Sequence, residues 1–179
     1  MKNVALILLI MAAMCVPRAT VAQEAEVSGK RRAEILSAAK DLMHKARFCG
    51  LITLAADGSP QARVVDPFEP EDDMTVWIGT SNVTRKVSEI ERDARVTLLC
   101  TSPDGTGYVV LIGAAAIVRD KAEKAKHWKP EWKGFYKDEN RGDDYVLIKT
   151  RPRQLEIVSM THNLMNDPLT WRPVTLELR

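Results

Sequence analysis

From Arg32 onward, apolar residues recur at Ile35, Leu36, Ala39, Leu42, Met43 and Ala46. This is the three-and-four spacing of an amphipathic helix with one buried stripe. The period then changes. "FCGLITLA" (48–55) is short and rich in β-formers, and the "ADGSP" that closes it holds Asp57-Gly58, a strong hairpin signal. "QARVV" (61–65) follows as a second strand, "DPFEPEDD" reads as a turn-rich loop, and "MTVWIGT" (74–80) as a third strand. The segment "GTSNVTRKVSEIERD" (79–93) then predicts a helix. "RVTLLCT" (95–101), the turn "SPDGTG" and "YVVLIGAAAIV" (108–118) predict two more strands, with Gly113 marking a bulge or a close approach. "DKAEKAKHW" is helical and leads to aromatic residues at Trp128, Trp132, Phe135 and Tyr136. "DDYVLIKTRPRQLEIVSM" (143–160) reads as two strands bent at Pro152, and "VTLEL" (174–178) as the last. The sum is a mainly β, α+β chain of mostly antiparallel strands: a small barrel with helical covers, or a compact α+β sandwich.

The first 22 residues change how the rest is counted. "MKNVALILLIMAAMCVPRATVA" has a basic start, an apolar run from Val4 to Val16 and small residues at Thr20 and Ala22. That is the pattern of a Sec-type secretory signal cut after Ala22. The expected organisation is a signal over 1–22, a loose polar leader over 23–32 and one domain over 33–179, exported to a periplasm or the medium and free of the membrane after cleavage. Removing Lys2 and Arg18 leaves 24 basic against 24 acidic residues. A neutral chain with charges of alternating sign has no basic field for nucleic acid. Two cysteines remain, Cys49 and Cys100. In an oxidising compartment they can form a bridge; inside apolar strands they can equally serve as small hydrophobes.

Arg85 and Lys86 stand in the first turn of the predicted 79–93 helix, where the partial charge of the helix is positive and favours Asp or Glu by roughly 0.3–1 kcal/mol. Thr80, Ser81, Asn82 and Thr84 crowd the same turn. Backbone amides, hydroxyls and two cations at a helix start make a phosphate cradle. The plainer reading pairs Arg85 and Lys86 with Glu89, four and three residues on. The strand end Trp77-Ile78-Gly79-Thr80 adds an apolar floor and a small residue, which suits a planar ring lying against backbone.

At this point the stretch "ARVVD…MTVWIGTSNVTRKVSEIERDARVTLLCTSPDGTGYVVLIGAAAIVRD" resembles the pyridoxamine 5′-phosphate oxidase-like, FMN-binding split barrels, in particular their general stress protein class. The resemblance spans residues 33–160 and includes the W-x-x-x-W patch and "DYVLIKTRPRQLEI". It implies an antiparallel split β-barrel with helical covers, and a homodimer with FMN at its two-fold interface. Arg85 and Lys86 would grip the FMN phosphate, Thr84 would donate a hydroxyl hydrogen bond, and Arg63 would reach the phosphate or ribityl chain. The backbone at Val64, Val65, Ile78 and Gly79 would border the isoalloxazine ring, with Thr80 bonded to it. Tyr108 lies where the oxidases place a Gln near the flavin. Two features depart from the oxidases. "RVVDPF" lacks their basic residue, and "THNLMNDPLTWRPV" lacks their R-x-H-x-R substrate motif, so oxidation of pyridoxamine phosphate is not expected.

The expected activity is therefore flavin redox chemistry on a small molecule, with no catalytic side chain assigned. An exported module holding flavin, haem or deazaflavin without turnover is the alternative, and a stress-protective dimer with an empty site is a third. His44, His127 and His162 have no metal-ligand spacing. Trp132 reads either as packing or as a contact to the ring or substrate.

Overall fold

The computed structural model describes residues 18–136 and 144–178, with side chains from Ser28 onward. The apolar run Val4–Val16, expected as a secretory signal, lies outside the described residues. Helix α1 spans Arg18–Ala46. It therefore runs through 23–32, the stretch read as a loose leader, whose Glu, Ala, Lys and Arg residues are good helix formers. Its buried stripe is the expected one: Ile35, Ala39, Leu42 and Met43, with Ala38.

Among the described residues seven antiparallel strands follow: β1 Cys49–Leu54, β2 Pro60–Val65, β3 Val76–Ser81, β4 Arg95–Thr101, β5 Gly107–Val118, β6 Tyr145–Ser159 and β7 Val174–Glu177. Helix α2, Arg85–Arg92, lies between β3 and β4, and α3, Lys121–Lys126, precedes a 3-10 turn at Pro130–Gly134. The sheet order is β2-β1-β4-β5-β6-β3, with β7 on β6. The outermost strands β2 and β3 are not laddered to each other. A single bridge, Pro67 to Ile78, joins the chain just past β2 to β3. The curled sheet is thus a barrel left split along β2 and β3, and of the two expected architectures the barrel is the one formed.

Side-chain alternation gives β3 and the first half of β6 two buried faces. Val76, Ile78 and Ile148 point into the main core with Leu51, Leu98, Leu111, Leu155, Ile157 and the α1 stripe. Trp77, Tyr145 and Leu147 point outward beneath Trp132. Helix α3 and the 3-10 turn form this outer cover, so Trp132 is packing, on an aromatic cluster with Phe68, Trp128 and Tyr136.

Residues 145–159 form one strand, where two had been expected. Pro152 falls between the β6 segment laddered to β3 (Tyr145–Thr150) and the one laddered to β7 (Gln154–Ile157). A missing N–H is tolerated there because the strand changes partners at that point. On the other side the register slips between Ile112 and Gly113. A Cβ on Gly113 would lie 2.3 Å from the Arg151 carbonyl oxygen, which is the close approach the glycine signalled. Cys49 and Cys100 face each other across β1 and β4 and form a disulfide, with Cα atoms 4.4 Å apart.

Candidate functional site

The cations singled out in the sequence meet at the split. Inward-facing positions on β2 alternate Gln61, Arg63, Val65, so Arg63 enters the barrel while Val64 stays outside, 73% exposed. Val65, Ile78 and Thr80 are buried, and the side-chain face of Gly79 is covered by the Trp132 ring. Arg63, Thr80, Thr84, Arg85 and Lys86 come together around the start of α2. Tyr108 does not join them: it is on β5, three strands from β2.

At the centre of this group is Glu89, on the buried face of α2 and 2% exposed. Its Oε2 accepts the Thr53 hydroxyl at 2.5 Å and the Arg63 Nη2 at 2.7 Å. The Arg85 Nε lies 2.9 Å from Oε1. Arg63 also donates through Nη1 to the Thr53 hydroxyl and, at 2.8 Å, to the Gln61 carbonyl. Burial pushes the Glu89 carboxyl up, but the Thr53 hydrogen bond and the Arg63 and Arg85 charges outweigh it and hold the pKa below the usual value. The plainer reading of Arg85 is thus correct as far as it goes, since Arg85 is paired with Glu89. The spacing could not show that Glu89 is buried and shared with Arg63, since only the register of β1 and β2 brings that arginine to it.

Lys86 is held differently. Its Nζ donates to the Thr80 Oγ1 at 2.8 Å, and Thr80 Oγ1 stands 3.2 Å from that of Thr84. Burial and the nearby Arg63 charge lower its pKa, against the pull of Glu89. Thr84 is the N-cap residue of α2 but its side chain does not cap, donating instead to the Ser81 carbonyl at 2.9 Å. Three cations against one carboxylate leave a formal charge of +2 beside a helix start whose N-cap side chain does not cap. That donor set suits a phosphate monoester dianion. Among the described residues no group of histidines, cysteines and carboxylates is arranged to hold a metal.

The chain belongs to the family described as pyridoxamine 5′-phosphate oxidase like, whose model matches residues 34–166. No curated protein matches it. Its fold is similar to that of general stress protein 26 from Bacillus anthracis str. Sterne, at 21% identity, over 81% of this chain and 99% of the other, TM-score 0.65. A protein from Clostridium acetobutylicum related to general stress protein 26 is similar over 81% of this chain and 95% of its own, with 15% identity and TM-score 0.67. An F420 reductase covers 65% of this chain and 94% of its own, at 20% identity and TM-score 0.52. These likenesses establish the split-barrel fold.

Proposed function

We propose that the protein is an FMN-binding flavoprotein acting as an oxidoreductase on a small molecule, and is not a true pyridoxamine phosphate oxidase. The observation that carries this reading is the Arg63–Thr80–Thr84–Arg85–Lys86 cluster with its two uncompensated positive charges. Members of the family commonly bind flavin and are often dimeric. Arg85 and Lys86 would hold the phosphate, Thr84 would turn its hydroxyl to it, and Arg63 would act from inside the barrel. The backbone edges at Val64, Val65, Ile78 and Gly79, with Thr80, would border the ring. The flavin, when bound, supplies the hydride chemistry; the protein supplies position, charge and exclusion of water. A cleft of about 280 Å³, lined in part by His44, Arg47, Phe68 and Lys129, opens at Asp66, one residue past Val65, and offers a small substrate room.

A second reading, a flavin-binding module without turnover, is favoured by one observation: Val64, Val65, Ile78 and Gly79, whose backbone would border the ring, carry no acid or base. In either case the outer face of β2-β1-β4 presents exposed Val64 and Leu99 and half-buried Ile52, an apolar surface suited to a second copy. The test is titration of the apoprotein with FMN and with riboflavin, followed by reduction with a nicotinamide donor. Arg85→Ala should weaken FMN by about 1.5–3 kcal/mol, the range for a hydrogen bond to a charged group. Equal affinity for FMN and riboflavin refutes the phosphate site; retention without reduction selects the binding module; efficient pyridoxal phosphate formation refutes the exclusion. A monomer in sedimentation that is fully loaded with flavin refutes the shared interface.

A further inference from the structure

Glu89 is the one fully buried carboxylate among the described residues, and its two oxygens are used unequally. Oε2 is fixed by Thr53 and by the Arg63 guanidinium, which is itself tied to the Gln61 carbonyl. Oε1 is buried and accepts no hydrogen bond; its charged neighbour is the Arg85 Nε at 2.9 Å. Arg85 is 68% exposed, and its terminal nitrogens make no hydrogen bond among the described residues. The carboxylate therefore touches Arg85 on the edge of the guanidinium that faces the barrel and leaves the outer fork free. A free fork is the part of arginine that matches two oxygens of a phosphate.

We propose that Glu89 is a positioning residue for the phosphate site: one oxygen anchors Arg63 inside the barrel, and the other aims the Arg85 fork at the ligand. This rests on the flavin reading above and adds to it the group that orients the cradle. It also separates two effects of opposite sign. If Glu89 acted only through its charge, its neutralisation would raise the net charge of the cluster and tighten a phosphate. If it acts by aiming Arg85, its neutralisation frees the fork, and the phosphate is held more weakly. In Glu89→Gln the amide nitrogen placed at Oε1 would put a donor against the cationic Nε edge of Arg85 in place of a carboxylate oxygen 2.9 Å away, while the oxygen at Oε2 could still accept from Thr53.

The experiment measures dissociation constants for FMN and riboflavin in the full chain, for wild type, Glu89→Gln, Arg85→Lys and the double variant. Glu89→Gln should bind FMN about tenfold more weakly, the low end for losing a charged hydrogen bond, with riboflavin unchanged. Arg85→Lys keeps the charge but has neither the Nε edge nor the fork, and should lose a similar factor. The double variant should be no weaker than either single one, because both act on the same contact. Removing one partner of a buried ion pair also threatens the fold. If Glu89→Gln does not fold, Arg85→Lys alone decides: FMN affinity equal to wild type overturns the inference. A Glu89→Gln protein that binds FMN as well as or better than wild type also overturns it, as does full additivity in the double variant. A wild type that prefers FMN no more than riboflavin overturns the phosphate site itself, and this inference with it.

Discussion

Substituting Gly79 by alanine tests how the outer cover sits on β3. A Cβ built there lies 2.2, 2.5 and 3.0 Å from three carbons of the Trp132 ring. Carbon atoms settle at about 3.5–4.0 Å, so the ring edge must retreat by about 1.3 Å. It has little room. Trp132 is 7% exposed and packs against Phe68, Trp128, Tyr136 and Tyr145 at ring separations between 5.6 and 6.2 Å. Expelling the ring would give up about 200 Å² of burial, worth roughly 5 kcal/mol at 25 cal/mol per Å². Shifting it in place costs about 1–3 kcal/mol, the usual penalty of overpacking, and this is the cheaper course. Loss of the glycine's extra freedom in the unfolded chain returns about 0.4–1 kcal/mol. Gly79→Ala should therefore destabilise by about 1.3 kcal/mol net at the middle of these ranges and by up to about 2.6 kcal/mol, read from urea unfolding, with a change in tryptophan emission. The same substitution in a Trp132→Ala background should add no further destabilisation. A Gly79→Ala protein as stable as wild type, or an undiminished effect without Trp132, refutes the packing described.

Opening the Cys49–Cys100 disulfide, which spans a sequence separation of 51, should cost about 4 kcal/mol by chain entropy; unfolding curves of wild type and Cys100→Ser check it, and a loss under 1 kcal/mol defeats the expectation. Asp93 is held at a pKa of about 2 by the Arg95 side chain and amide, and Asp104 at about 2 by the Thr106 amide and the hydroxyls near it. Both depressions stabilise the fold above the unfolded value near 3.9, and that stability is lost as pH falls from about 4 to 2. Asp93→Asn and Asp104→Asn should flatten this part of the stability–pH curve, and curves parallel to wild type would contradict the assignment. N-terminal sequencing of the native protein should begin at Gln23, as expected for an exported chain; Met1 retained in a cytosolic fraction would count against export.

What was legible in the sequence is what depends on local spacing. The α1 stripe, the strands and the glycine at the β5 slip all follow from period and turn chemistry. Arg85 and Lys86 stood out because they oppose the helix dipole. What was hidden depends on register between distant strands. Nothing near Cys49 says that it faces Cys100, and nothing near Glu89 says that Arg63 lies against it. The cover of Gly79 by Trp132 is likewise a tertiary fact, since 53 positions of chain carry no signal about which face of β3 an aromatic ring will cover. That α1 runs through 23–32 was not legible, because a polar stretch with good helix formers has no apolar stripe to declare it.

β6 is the strand on which the barrel closes, and this places the cradle late in assembly. β1 and β2 pair as neighbours in the chain, as do β4 and β5, and the disulfide ties these two hairpins together across a separation of 51. β3, which leads into α2, has its ladder on β6, with Val76 opposite Thr150. Contacts that far apart in sequence form slowly, because the loop between them must be ordered before they are rewarded. The half-made chain can therefore hold its disulfide and much of its sheet while Thr80, which accepts the Lys86 hydrogen bond, still lacks its place opposite Val146. A ligand that needs Lys86 held against Thr80 meets a complete site only in the finished barrel, which makes the fold itself the proofreader of loading.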